Sequence, residues 1–126
     1  MNTNKRVLVV DDEPGIVNIL RIKLRISGYD VVTTTSGAEA IELVRADKFD
    51  VMLLDVLMPG VSGFDVLEKV RSFSRVPIIV FTAKPDIMQF AIKLGADNTI
   101  AKPFDPEEVV KKIEMVLDNA RHEKGG

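Results

Sequence analysis

The chain has 126 residues, the length of one domain, which leaves no room for a second hydrophobic core. Its 46% hydrophobic and 29% charged residues are ordinary for a globular protein and argue against disorder. A net charge of −2 without a basic cluster gives nucleic acid no strong attraction, and the lack of cysteine excludes a disulfide framework or a thiolate metal site.

Short apolar runs alternate along the chain with segments of helical periodicity. The apolar runs are at residues 7–10, 51–54 and 78–81, with weaker ones at 29–33 and 98–101. Near-continuous runs of this length are typical of strands buried on both faces, as in a parallel sheet. The segments between and after them predict five helices, over residues 14–27, 36–46, 62–71, 86–94 and 105–119.

Local signals support the ends of these helices. Pro14 suits a first helical turn and Gly28 a stop, and residues 36–39 (Ser-Gly-Ala-Glu) form a capping box. Asp105 followed by Pro106 predicts a cap and an N1 proline for the last helix. We expect the apolar stripe of the first helix to consist of Ile16, Ile19, Leu20, Leu24 and Ile26.

Five strand–helix units in one domain predict an α/β fold, a doubly wound (βα)5 flavodoxin-like sandwich. Its parallel five-stranded sheet should have the order 2-1-3-4-5. We assign residues 1–120 to the domain and 121–126 to a tail or the start of a linker. In such folds functional groups lie at the carboxyl ends of the strands, near the switch point between the first and third.

Polar residues follow four of the predicted strands. Asp11 and Asp12 come after the first, Asp55 after the third, Thr82 after the fourth and Lys102 after the fifth. Clustered carboxylates repel one another unless a cation or proton intervenes, and an all-oxygen acidic site suits Mg²⁺. Carboxylate, metal, lysine and hydroxyl together could stabilise the oxygens of a transferring phosphoryl group.

These residues form the motifs by which residues 5–118 resemble the response-regulator receiver domains of two-component signal transduction, such as chemotaxis regulators. The motifs are Asp11-Asp12, residues 55–63 beginning at Asp55, Thr82-Ala83, and residues 95–97 (Gly-Ala-Asp) leading to Lys102-Pro103-Phe104. Each motif alone is weak, but their appearance in order, each at the end of the right element, is highly specific.

The resemblance implies a role for each site residue. Asp55 would be the phosphoacceptor, with Thr82 hydrogen-bonding the phosphoryl group and Lys102 pairing with it. Asp11, Asp12, Asp55 and the backbone carbonyl of Leu57 would bind Mg²⁺ or Mn²⁺, with Asp11 acting mainly through metal-bound water. The Lys102–Pro103 peptide bond would be cis. The domain would then be a switch, and an enzyme only toward its own phosphorylation and dephosphorylation.

The resemblance also implies partners. The phosphoryl donor would be a sensor histidine kinase or a phosphotransfer protein, and a downstream protein target or a missing output domain would be regulated. A phosphorylation-dependent homodimer is a further expectation, whereas direct nucleic-acid binding and membrane contact are not expected. Residues 1–6 lead to only four apolar residues, too few for a signal peptide, so we expect a cytoplasmic protein.

Other interpretations remain open for single residues and for the whole chain. Asp12 alone could cap a helix, Asp55 could open a turn, and Thr82 and Lys102 could be an ordinary strand threonine and a surface lysine. A flavodoxin-type protein would need a phosphate-binding loop where the aspartates lie. A haloacid-dehalogenase-like phosphatase would have its aspartyl nucleophile after the first strand and an acid two residues later, whereas Leu57 lies two residues after Asp55. The main alternative is a receiver-like protein-interaction module that works without phosphorylation.

Two positions depart from the family pattern. Thr99 occupies the place of the usual aromatic residue, and the segment from Thr82 to Lys102 is about two residues shorter than is common. Both changes fall where the family usually couples to its targets, so they concern the output and leave the phosphoacceptor chemistry unaffected. The sequence contains no output domain, which fits either a stand-alone regulator or part of a longer chain.

Overall fold

The computed structural model describes residues 4–58 and 62–125, and for residues 121–125 only the backbone. The strands are β1 (Arg6–Val10), β2 (Asp30–Thr34), β3 (Val51–Asp55), β4 (Ile78–Thr82) and β5 (Asn98–Ala101). The helices are α1 (Pro14–Ile26), α2 (Gly37–Ala46), α3 (Gly63–Arg71), α4 (Met88–Lys93) and α5 (Pro106–Gly125). None of the described helices is long and apolar enough to span a membrane.

The five strands form one parallel sheet in the order β2-β1-β3-β4-β5, which confirms the predicted topology. Alternate strand residues point to opposite faces, and each face has its own core. One core packs the sheet against α1 and α5 through residues such as Leu20, Leu24 and Ile113. The other packs it against α2, α3 and α4 through residues such as Val44 and Leu67.

The predicted helix ends agree with the structure at several positions. Pro14 is the first residue of α1, and the Ser36 hydroxyl accepts a hydrogen bond from the Glu39 backbone N–H at 3.1 Å. The Asp105 carboxylate accepts one from the Glu107 N–H at 2.9 Å. Gly95, just after α4, has a φ of 113°, a conformation that glycine adopts without strain.

Three details of the helices differ from the prediction. A 3₁₀ turn (Pro85–Ile87) precedes α4, so the α-helix itself is short. The last helix continues beyond the expected residue 119 to Gly125. In α1 the buried stripe is Val17, Leu20 and Leu24, whereas the side chains of Ile19 and Ile26, which we expected to be buried, are exposed.

The reason for the difference in α1 is the width of its buried face. The helix packs on the sheet along one narrow row with spacings of three and four residues. Ile19, Ile22 and Ile26 repeat the same spacing on the opposite side of the helix, which faces solvent, and they are 54%, 57% and 74% exposed. Apolar character alone therefore overestimated the buried stripe.

An arginine at the far end of the sheet holds the start of β5 in place. The Arg71 guanidinium donates to the backbone carbonyls of Gly95 and Val76 at 2.9 and 2.7 Å, and to the Asp97 carboxylate at 2.8 Å. The same Asp97 oxygen accepts a 2.8 Å hydrogen bond from the Ile78 N–H at the start of β4. These contacts fix the position of β5 against β4, and thereby the point at which β5 ends.

The first residue of α3 lies in close contact with the end of β3. The Gly63 N–H donates to the Val56 carbonyl at 3.2 Å. A Cβ at position 63 would lie 2.1 Å from the Val56 Cα and 2.4 Å from the Asp55 carbonyl oxygen. Only glycine allows this approach, which holds the backbone that follows Asp55.

We therefore predict that Gly63→Ala destabilises the domain, by roughly 2 kcal/mol or more, because rigid backbone atoms would have to move. Gly15→Ala is the matched control, since a Cβ there has no atom within 4 Å. Alanine at position 15 lowers the conformational entropy of the unfolded chain, so the stability of the domain should stay unchanged or rise by up to about 1 kcal/mol. Urea unfolding of both variants measures the difference, and equal stability of the two would contradict the packing described here.

Candidate functional site

Strand alternation brings three charged side chains to the same side of the sheet. Residues 7 and 9 of β1, 51 and 53 of β3, and 100 of β5 all belong to the core beneath α1 and α5. Continued by two positions, the same alternation directs Asp11, Asp55 and Lys102 toward one another at the carboxyl edge. The register agrees, because β1, β3, β4 and β5 are aligned in parallel and end close together.

The Lys102 ammonium group lies at the centre of this cluster. It donates hydrogen bonds to the Asp11 Oδ2 at 2.8 Å and to the Asp55 Oδ2 at 3.3 Å, and it lies 3.4 Å from the Glu13 Oε1. It also lies 5.1 Å from the centre of the Phe81 ring, at a distance typical of a cation–π contact. The carboxylates of Asp11 and Asp55 are almost completely buried, so the lysine offsets their mutual repulsion.

Burial and charge shift the proton affinities of this pair. Burial raises the pKa of Asp11 to about 6, although the hydrogen bonds from Lys102 and from the Glu13 N–H oppose this shift. Burial by itself lowers the pKa of Lys102, but the hydrogen bond to Asp11 and the charges of Asp11 and Asp55 outweigh it. The pKa of Lys102 therefore lies above its ordinary value. The lysine thus remains charged and available to a second anion.

The site has the donor set of a hard divalent cation. Asp11, Asp12 and Asp55 each offer a carboxylate oxygen, and these oxygens all lie within 4.8 Å of one another. Asp12 is partly exposed, so water can reach the cluster. An all-oxygen site of this charge with access to water fits Mg²⁺, which binds one or two carboxylates and retains several waters. The Leu57 N–H donates to the Asp55 Oδ1 at 3.0 Å, which turns this loop toward the cluster.

The loops after β4 and β5 complete the edge. Thr82 is fully buried, and its backbone carbonyl accepts a 2.8 Å hydrogen bond from the Lys102 N–H. Its hydroxyl oxygen accepts a 3.1 Å hydrogen bond from the Lys84 N–H, which leaves the hydroxyl proton available for another acceptor. The Lys102–Pro103 peptide bond is cis, as predicted. Pro59, Gly60 and Val61 of the motif after Asp55 lie outside the described residues.

Two residues that touch Lys102, Glu13 and Phe81, had no predicted role at the site. Glu13 directly follows the two aspartates, a position that could have indicated a third acid at this edge. Phe81 ends the apolar run 78–81 that predicted a buried strand, and it is buried, but its contact with the lysine was not foreseen. A groove of about 430 Å³ also opens beside Lys102, and its walls include Glu13, Ile16, Ile19 and Phe104.

Residues 7–114 match the family model described as the response regulator receiver domain. The chain belongs to this family, whose members are switches operated by phosphorylation in two-component signalling. The site agrees, because the acidic cluster of Asp11, Asp12 and Asp55 fits both Mg²⁺ and a phosphorylated aspartate.

Curated relatives are longer than this chain. A probable transcriptional regulator ycf27 from Guillardia theta is 41% identical over 119 residues, which are 93% of this chain and 47% of the relative. The DNA-binding response regulator MtrA from Mycolicibacterium smegmatis is 40% identical over 90% of this chain and 50% of its own length. PhoP from Bacillus subtilis is 39% identical over 90% of this chain and 49% of its own length. The chain thus spans about half the length of these proteins.

Solved structures share the fold over the whole domain. The receiver domain of Francisella response regulator 1452 has a TM-score of 0.87 at 27% identity, covering 93% of this chain and 99% of that one. A CheY-like receiver domain from Methanospirillum hungatei has the same TM-score at 29% identity, covering 98% and 100%. TrrA from Thermotoga maritima, solved in complex with Mg²⁺–BeF, has a TM-score of 0.81 at 33% identity, covering 89% and 98%.

The acidic cluster leads to a prediction about metal binding. Mg²⁺ should bind the folded domain only, and at ten times its dissociation constant it should add about 1.4 kcal/mol of stability. For a domain of this size we expect a rise in melting temperature of about 4–6 °C. Asp12→Ala should remove most of this response. Glu42→Ala, which removes an exposed acid on α2, should retain it, and an equal response of both variants would contradict the site.

Proposed function

We propose that Asp55 accepts a phosphoryl group from a phosphohistidine, with a divalent cation bound by Asp11, Asp12, Asp55 and the Leu57 carbonyl. The observation that carries this proposal is the environment of Asp55. Its carboxylate is almost fully buried at the end of β3, yet it receives a backbone N–H and the Lys102 ammonium and lies beside two further acids. A merely structural aspartate would gain little from burial among like charges.

The proposed reaction is an in-line displacement at phosphorus. An oxygen of Asp55 forms the new P–O bond while the P–N bond to the donor imidazole breaks. The electron pair of that bond stays on the ring nitrogen, which takes up a proton. Mg²⁺, the cation we propose, with Mn²⁺ as a substitute, would offset the negative charge of the carboxylates and of the phosphoryl oxygens.

The chain's own residues act on the phosphoryl oxygens. Lys102 is already 3.3 Å from the Asp55 oxygen, so it can pair with a phosphoryl oxygen held there. The Thr82 hydroxyl can donate a hydrogen bond to a second phosphoryl oxygen. This new hydrogen bond would draw the hydroxyl away from the Lys84 N–H, which now donates to it. A change at Thr82 then passes to the adjoining 3₁₀ turn and the short helix α4, which biases an existing equilibrium between two conformations.

This catalysis would be limited to the domain's own phosphorylation and dephosphorylation. The TrrA structure in complex with Mg²⁺–BeF supports the metal and phosphoryl assignment, since that protein is 33% identical to this chain. A sensor histidine kinase or phosphotransfer protein would be the donor, which favours a cytoplasmic location. MtrA is named as a DNA-binding protein, and we propose that any DNA contact is made by a further domain or partner.

The first experiment tests the phosphoacceptor. Incubation with acetyl phosphate or phosphoramidate and Mg²⁺ should add one phosphoryl group by intact-mass spectrometry, and Asp55→Asn should abolish this addition. Asp65→Asn, which changes an exposed acid on α3, should leave it intact. Undiminished labelling of Asp55→Asn would exclude the assignment. Failure of the wild type to be labelled would favour the interaction module that works without phosphorylation.

A second experiment concerns the lifetime of the phosphorylated state. Leu57 and Lys84, two positions after Asp55 and Thr82, should flank the path of the hydrolytic water, and the exposed Leu57 side chain cannot orient it. Leu57→Asn would supply one hydrogen bond to that water, so dephosphorylation should become about 2- to 10-fold faster. Leu57→Met keeps an apolar side chain and should leave the rate near that of the wild type. Equal rates for Leu57→Asn and Leu57→Met, measured after removal of the donor, would contradict this role.

A further inference from the structure

Glu13 is the acid at this edge that the proposed reaction does not use. It is the residue before α1 and takes the cap position, but its side chain makes no capping hydrogen bond. Short side chains are the usual caps, whereas the longer glutamate extends past the end of the helix. Its carboxylate instead lies 3.4 Å from the Lys102 ammonium, at the rim of the site.

The exposure of Glu13 distinguishes it from the acids below it. Its side chain is 61% exposed, whereas those of Asp11 and Asp55 are 0% and 3% exposed. Lys102 already pairs with these two buried carboxylates, so it does not need a third acid for neutralisation. Because the Glu13 partner is exposed to solvent, water and salt screen its pairing with Lys102 and limit what it contributes to stability. The Glu13 carboxylate is therefore an exposed charge at the rim of the site, 3.4 Å from the ammonium group that we propose pairs with the phosphoryl group.

Glu13 also decides the sign of the local charge. Four carboxylates (Asp11, Asp12, Asp55 and Glu13) face one ammonium group, that of Lys102. A bound divalent cation leaves this group of residues with one net negative charge, and without Glu13 the same group would be neutral. Like charges repel, so the net negative charge of the site repels a negatively charged phosphoryl donor. The repulsion grows in proportion to the negative charge of the donor.

We infer that Glu13 is a specificity-determining residue that disfavours small, highly charged phosphoryl donors at the mouth of the site. The inference rests on the proposed function and names a property of the same site. A free dianion must approach with its whole charge exposed to Glu13. A phosphohistidine carried by a protein partner has contacts elsewhere that offset the same repulsion. Glu13 would thereby keep the switch dependent on its protein donor in the presence of free phosphorylated metabolites.

The test compares two donors of different charge. At neutral pH acetyl phosphate carries two net negative charges and phosphoramidate one. In both cases Asp55 forms the P–O bond, and either acetate leaves with the electron pair of its P–O bond or ammonia leaves with that of its P–N bond. The second-order rate constants for phosphorylation are measured with each donor and saturating Mg²⁺, at low and at high salt.

In Glu13→Gln the rate constant for acetyl phosphate should rise about 2- to 5-fold at low salt, the range expected for one exposed charge. The logarithm of the rate constant for phosphoramidate should rise by about half as much. Both increases should become smaller at high salt, which screens the charge. Glu13→Asp keeps the charge and should stay near the wild type. Glu42→Gln, which removes a remote charge on α2, should change neither rate constant.

Other outcomes overturn the inference in distinguishable ways. Equal changes for both donors that do not depend on salt would mean that Glu13 acts by holding Lys102, and unchanged rate constants would mean that it has no role. In either case Asp55 would still be phosphorylated in the wild type, so the proposed function would stand. Absence of labelling in the wild type, or labelling of Asp55→Asn, would overturn the proposed function itself.

Discussion

The contact between one buried ammonium group and two buried carboxylates is the interaction on which this site depends. Lys102 comes from the end of β5, Asp11 from β1 and Asp55 from β3, so the three side chains meet only if all strands are in register. Removal of the lysine would leave two desolvated negative charges side by side, a costly arrangement. The pair of acids therefore requires a cation, and this requirement prepares the site for a metal ion and a phosphoryl group.

The remainder of the fold can be understood as support for that contact. Arg71 and Asp97 fix the beginning of β5 against β4, at the opposite end of the sheet from Lys102. Gly63 holds the backbone after Asp55 by an approach that no other residue permits. Two cores, one on each face, cover the central strands β1, β3 and β4, which carry polar residues only at their ends. A rigid sheet thus presents its charges on loops that can respond to a ligand.

We propose the segment between Thr82 and Lys102 as the part of the domain in which the response to phosphorylation develops. It contains a 3₁₀ turn and a helix of only six residues, so few hydrogen bonds oppose its movement. Thr99, in the place of the usual aromatic residue, is partly buried and pairs with Val80 in the sheet. It offers little apolar area to bury on activation, so we propose that the Thr82 hydroxyl, with its hydrogen bond from the Lys84 N–H, is the main contact that differs between the two states.

The amino-acid sequence by itself determined the sheet order, the five helices and the placement of polar residues at strand ends. Each of these follows from short-range rules: strand periodicity, caps such as Ser36, and the handedness of crossovers. Tertiary structure alone decided which isoleucines of α1 face solvent and where the Glu13 carboxylate lies. Those features depend on the rotation of a helix against the sheet and on the reach of one side chain toward Lys102, a residue 89 positions away in the chain. No local pattern encodes such a distance, because it is set by the packing of the whole domain.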